Sequence, residues 1–171
     1  ILLTLMILII AVVLLILALV QKMSQKNIGG VEYLSIYLLL MSIYYLIETK
    51  VSEVFYGNQT LYSTLIFIIL MTAPLFLEAY CYEAMPESSK MMFIAMVVSV
   101  ANIVCQLVLQ ICGFVDFLEM SFVSHVIIVV LILVNVVLLG QNAKKEKSPE
   151  TILHFIGISC MMLSVFIDIL R

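Results

Sequence analysis

The side chains able to do chemistry are few in this chain, and they are scattered. Its two histidines, His125 and His154, stand on different apolar stretches. Its four cysteines, Cys81, Cys105, Cys112 and Cys160, form no C-x-x-C pair and no metal-type spacing, so they read as small buried apolar side chains. No G-x-S-x-G, H-E-x-x-H or glycine-rich phosphate loop occurs. Acyl transfer, zinc hydrolysis and nucleotide binding therefore each lack the groups they need. The expectation is no catalytic residue, no cofactor and no metal.

What remains is a set of polar residues inside apolar surroundings, where an ionisable group is costly and turns toward a partner, a ligand or an ion path. Asn102, Gln106 and Gln110 recur every four residues, which puts them on one face of a helix. The ordinary reading of that stripe is hydrogen bonding to a neighbouring helix; the alternative is the wall of a solute path, for which Asn135 is a thin partner. Pro74 lacks the N–H that would reach the carbonyl of Leu70, and Glu78 follows it by one turn. The preferred reading sends Glu78 to the membrane surface toward Lys90; the alternative makes Pro74 and Glu78 a hinge beside a buried acid.

The elements that carry these residues follow from composition. The chain is 65% hydrophobic and 11% charged, where a soluble domain has about 45–50% and about 25%. Its mean hydropathy is +1.27. That is the composition of a membrane protein, and a net charge of −3 argues against nucleic acid as a partner. A helix crossing about 30 Å of hydrocarbon needs near twenty apolar residues.

Stretches of that kind lie at about 1–20, 31–48, 60–82, 90–112, 120–140 and 150–170. The predicted fold is all-α: one polytopic transmembrane bundle over 1–171, with six spanning helices. Gly29 and Gly30 punctuate the first turn and Gly113 stops the fourth helix, while Ser148, Pro149 and Glu150 suit the start of the sixth. The first stretch lacks the basic start and cleavage site of a signal peptide and reads as a span. No internal repeat is visible.

Orientation follows the basic residues. Lys22, Lys26, Lys90, Lys144, Lys145 and Lys147 fall in the connections after helices 1, 3 and 5, leaving Lys50 and Arg171 on the other side. The N-terminus is therefore expected outside, with "AKKEK" in the cytoplasm. The triplet "NQT" at 58–60 falls outside too, but such triplets are common by chance.

On this topology Tyr44, Tyr45, Glu48, Gln110, His125, Asp168 and Arg171 all approach the outer face. The bland reading is the headgroup zone, where tyrosines and charges are ordinary. The sharper one is an outer polar vestibule, with Arg171 answering Glu48 or Asp168 and His125 titrating near neutral pH. His154 enters from the opposite side, so the two histidines cannot share a metal or a haem.

Two stretches go beyond hydrophobicity: "LSIYLLLMSIYYLIETKVSEVFYGNQTLYSTLIFIILMTAPLFLEAY" at 34–80 and "NIVCQLVLQICGFVDFLEMSFVSHVIIVVLILVNVVLL" at 102–139. In their "SI…ETK" helix end, F-x-G-N-type turn, proline-bearing third helix and "Q-x-x-G-x-x-D-F-x-E" turn before a histidine, they resemble the membrane domain of bacterial seven-transmembrane receptors with diverse intracellular signalling modules. The resemblance is to versions fused to a GGDEF diguanylate cyclase.

That resemblance covers most of 31–171. It implies an extracellular sensory region, seven helices, a cytoplasmic output such as a diguanylate cyclase or histidine kinase, and a homodimer formed through the full-length protein. This sequence shows no extracellular domain, seventh helix or output module. The expectation is thus a sensing and relay segment of a receptor in the bacterial cytoplasmic (inner) membrane, cut after Arg171, with the lipid bilayer and an unidentified stimulus as partners. The rival expectation is a small transporter or channel with its path along helix 4.

Overall fold

The computed structural model describes residues 2–23, 30–48, 59–84, 89–114, 117–146, 152, 155–160 and 163. They form six helices and, among the described residues, no strand: α1 Leu2–Met23, α2 Val31–Glu48, α3 Gln59–Ala84, α4 Ser89–Ile111, α5 Phe117–Glu146, and α6 at 155–160. Each expected span thus has a helix, and α2 runs over the expected residues. Ser148, Pro149 and Glu150 lie outside the described residues, as does Asn58 of the "NQT" triplet.

Three of the six are long and apolar enough to cross a membrane: Ser63–Ala84, Lys90–Ile111 and Phe122–Asn142. The expectation of six spans is narrowed to that extent. The apolar parts of α1 and α2, Thr4–Val20 and Val31–Ile47, are shorter. α5 also exceeds its predicted bounds, because the polar residues after Gly140 continue the helix and Lys144 and Lys145 in its last turn suit the negative end of the helix dipole.

Successive helices run antiparallel, and α3 lies at the centre, packed on α2, α4 and α5. It is the least apolar of the three long helices and the most buried. This follows when the surroundings are hydrocarbon: an outer helix must be apolar all round, whereas an inner one can spend polar groups on its neighbours. The apolar cluster joins Tyr37, Met41 and Tyr44 of α2 to Ile69, Ala73, Leu77, Tyr80 and Cys81 of α3, Met92 of α4, Ile128 and Leu139 of α5, and Ile158 of α6.

α1 meets α2 along small side chains. Thr4, Ala11 and Ala18, seven residues apart, are the buried positions of α1, while Leu5, Ile9, Ile16 and Val20 are exposed. Ser35 and Ser42, also seven apart, are fully buried on α2. Counted along the sequence from the middle of the connection, Ala18 and Ser35 are equally distant, and so are Ala11 and Ser42. Both serines return their hydroxyls to their own helix, Ser35 to Val31 O and Glu32 O at 2.9 Å and Ser42 to Leu38 O at 2.7 Å. Neither needs a partner across the interface, so the two backbones can approach closely.

Two glycines carry a conformation that other residues resist. Gly30 has φ +78° and starts α2, its carbonyl accepting from Tyr33 N at 2.9 Å. A Cβ there would stand 3.2 Å from Glu83 Cβ and 3.4 Å from Tyr80 Cα, so this turn is seated on the end of α3. Gly113, at φ +69°, ends α4 where the sequence places the stop. Its N–H reaches Gln110 O at 3.1 Å and Phe114 N reaches Leu109 O at 3.1 Å, the paired closing bonds of a Schellman motif.

α3 continues through Pro74. The proline leaves Leu70 O without its helical donor, and two residues before it Thr72 Oγ1 donates to Ile68 O at 2.8 Å and Ile69 O at 3.3 Å.

Candidate functional site

Glu78 lies in the last two turns of α3, on the side facing α4, and is 1% exposed. Ser99 Oγ of α4 donates to its Oε2 at 2.7 Å. Its other oxygen, Oε1, is buried without a partner. A carboxyl group in apolar surroundings with one of its two oxygens unserved is an expensive arrangement, and its environment holds it there by a single neutral donor.

This corrects the preferred sequence reading of Glu78. Among the described residues no ion pair joins it to Lys90; an ion pair across the α1–α2 turn joins Lys22 to Glu32 at 3.8 Å. Lys90 sits on the first turn of α4, about two and a half turns from Ser99. The face of α3 that carries Glu78 is closed by α4 before the side chain could reach the surface. Pro74 stands one turn before Glu78, itself half-buried.

A second polar tie joins α4 to α5. Gln106, 2% exposed, donates from Nε2 to Asn102 Oδ1 at 2.9 Å along its own helix and to Ser124 Oγ across the interface. Both amide hydrogens are thereby used, and Gln106 Oε1 is left buried without a partner. The third residue of the stripe, Gln110, is half-buried one turn further on. Asn135 on α5 is buried as well, its Oδ1 unpartnered, and so is Ser159 Oγ on α6.

Met92, Ser99 and Gln106 repeat every seven residues as buried positions of α4, so the Glu78 tie and the Ser124 tie lie on one seam. Between the two ties on this seam stands Asn102, half-buried and bonded to Gln106.

Ser99 and Ser124 are the members that reading the sequence missed. A serine inside an apolar helix gives no sign of its partner by itself. The signal was the register of the hairpins: Gln106 and Ser124 each stand nine residues from position 115 in the turn, so antiparallel helices bring them level. At the other connection the rings of Tyr82 and Phe93 meet at 6.5 Å, and Glu78 and Ser99 each lie at least a turn further from it.

The residues expected at the outer face are placed only in part. Tyr44 is in the apolar cluster and sets its ring edge-on to Tyr45 at 5.3 Å. Gln110 and His125 are half-buried near the α4–α5 turn. Glu48 closes α2, but its side chain, like Asp168, Arg171 and His154, lies outside the described residues. The vestibule therefore stays an expectation.

The cysteines need correcting: Cys81 is buried, but Cys105, Cys112 and Cys160 are exposed. In hydrocarbon a thiol loses little by facing outward, so apolar character does not imply burial. Among the described residues no three His, Cys, Asp or Glu side chains gather as a metal would require.

A double-mutant cycle on Gln106→Leu and Ser124→Ala is expected to give a coupling of about 0.6 kcal/mol, with about 1.7 kcal/mol as the upper end for such bonds in membranes. The measurement is reversible unfolding of the purified protein in lipid–detergent mixtures. Strict additivity of the two changes would mean that this contact contributes nothing.

No family model, curated protein or solved structure matches this chain.

Proposed function

We propose that this chain is the membrane-embedded sensing and relay domain of a bacterial signalling receptor. It lies in the cytoplasmic membrane as a six-span part of a seven-helix bundle, with its N-terminus outside. It passes a stimulus from the outer face or the membrane to a cytoplasmic output module, a diguanylate cyclase, in a homodimer of the full-length protein. The segment itself does no catalysis.

The observation that carries this reading is a set of buried acceptors without partners: Glu78 Oε1 and Gln106 Oε1 at the seam, and Asn135 Oδ1 on α5. Buried polar atoms are normally paired, and exceptions call for an explanation. A relay needs two helix arrangements of similar energy. A small slide of α4 against α3 and α5 breaks the Ser99 and Ser124 bonds, and the idle oxygens offer places to remake them. A transport path along α4 has less to draw on, because the amide hydrogens of Gln106 are already spent on Asn102 and Ser124.

The test is cyclic di-GMP measured in cells expressing the full-length gene product, wild type against Ser99→Ala and Glu78→Gln. A shift in basal or stimulated level in either variant, at equal protein abundance, is the expected result. Unchanged levels in both, with solute uptake by proteoliposomes of residues 1–171, would replace the receptor with a transporter.

A further inference from the structure

Where α3 ends and α4 begins, Tyr82, Lys90, Phe93 and Ile94 line an open groove of about 390 Å³. Its walls are mostly apolar. Phe93 and Ile94 are each more than half exposed, and Tyr82 sets its ring against Phe93 at a tilt of 51°. Among the described residues its one cation is the exposed Lys90. The neighbouring acid, Glu83, stands against Gly30 at the α1–α2 turn and is not part of the groove.

The groove's depth in the bilayer follows from its residues. Tyr82 is in the last turn of the Ser63–Ala84 span and Lys90 is the first residue of the Lys90–Ile111 span. The groove therefore straddles the boundary between headgroups and acyl chains. The antiparallel order puts Lys22, Lys144 and Lys145 at the same end of the bundle. A cation at the headgroup level, a phenol beside it and an aromatic and aliphatic wall below are complementary to a molecule with an anionic head and an apolar tail. A free solute has no tail for the wall, and a zwitterionic phospholipid brings a cation of its own beside Lys90.

We propose that this groove is a binding site for an anionic phospholipid, with the phosphate on Lys90 and Tyr82 and an acyl chain along Phe93 and Ile94. Basic pockets between helices on the positive side of a membrane take acidic headgroups in this manner. The site bridges the two helices that Glu78 and Ser99 tie together, so an occupied groove favours the packed arrangement of α3 and α4. The inference rests on α3 and α4 spanning a bilayer and not on the signalling role.

The experiment uses phosphatidylglycerol with a photoreactive acyl chain in phosphatidylcholine vesicles holding the whole chain, with a phosphatidylcholine probe of the same acyl chain for comparison. Adducts are mapped by mass spectrometry. Labelling near Phe93 and Ile94 is expected to be about fivefold higher with the anionic probe, the factor one basic residue gives near an acidic surface. Lys90→Gln should bring it down to the neutral level and Lys90→Arg should keep it, while Lys144→Gln leaves it unchanged. Equal labelling by both probes, or an anionic preference that survives Lys90→Gln, overturns the groove as a headgroup site. No labelling by either probe overturns the bilayer placement as well.

Discussion

Exchanging Glu78 for alanine will loosen α3 from α4 and lower the stability of the bundle by about 2 kcal/mol, the range for a buried hydroxyl left without its acceptor plus the void beneath it. The acid is 1% exposed and holds Ser99 at 2.7 Å, so no water or lipid headgroup reaches in to replace it. Glu78→Gln should behave differently. The amide keeps the shape and still offers Ser99 an oxygen, and its nitrogen takes the place of Oε1, which has no partner to lose. The amide brings two N–H donors into that unpartnered place, so the exchange should cost about 1 kcal/mol, less than alanine. Unfolding of the two variants in lipid–detergent mixtures measures this. Alanine and glutamine costing the same would mean that neither the Ser99 bond nor the volume of the side chain contributes.

The second large effect lies in α1. Ala11→Leu puts a branched side chain where exposure is 0%, at a position as far along the sequence from the first turn as Ser42 of α2. The helices must part or the side chain must strain, at a cost of about 1–3 kcal/mol. Val13→Leu, made two residues away on the exposed face, should cost almost nothing. If the two substitutions proved equally mild, α1 would not be packed against α2 through its small residues. Disulfide trapping between cysteines at 11 and 42 reads the same contact independently and should succeed only if the two positions stand level.

Helix existence and approximate limits were legible because a membrane span is a matter of length and apolarity, and Gly113 announced the end of α4 by its residue type. The end of α5 was not legible in that way, since its last turn is polar and the helix continues beyond the apolar stretch to Glu146. For the site, the spacing of Asn102, Gln106 and Gln110 identified the right face of α4. Which of the three would cross to the next helix was set by the level of Ser124, a fact of hairpin register and not of composition. Glu78 illustrates the opposite failure. Its distance from the helix end suggested a side chain that could reach the surface, and only the packing of α4 over it removed that option. The three outward cysteines failed for a related reason, because in a bilayer the outside is as apolar as the inside.

The seven-residue spacing of Thr4, Ala11 and Ala18 against Ser35 and Ser42 has a geometric consequence for the first hairpin. Seven residues fall slightly short of two turns of a straight α-helix, about 7.2 residues. A stripe with that repeat drifts around a straight helix, and two helices that keep such stripes in contact must wind about each other with a left-handed sense, crossing at about 20°. The seven-residue repeat of small residues thus favours such winding of α1 and α2 about each other. In such a pair, rotating one helix about its own axis moves the contact line of the other along its length, so a twist applied at one end of the hairpin emerges at the other as a displacement.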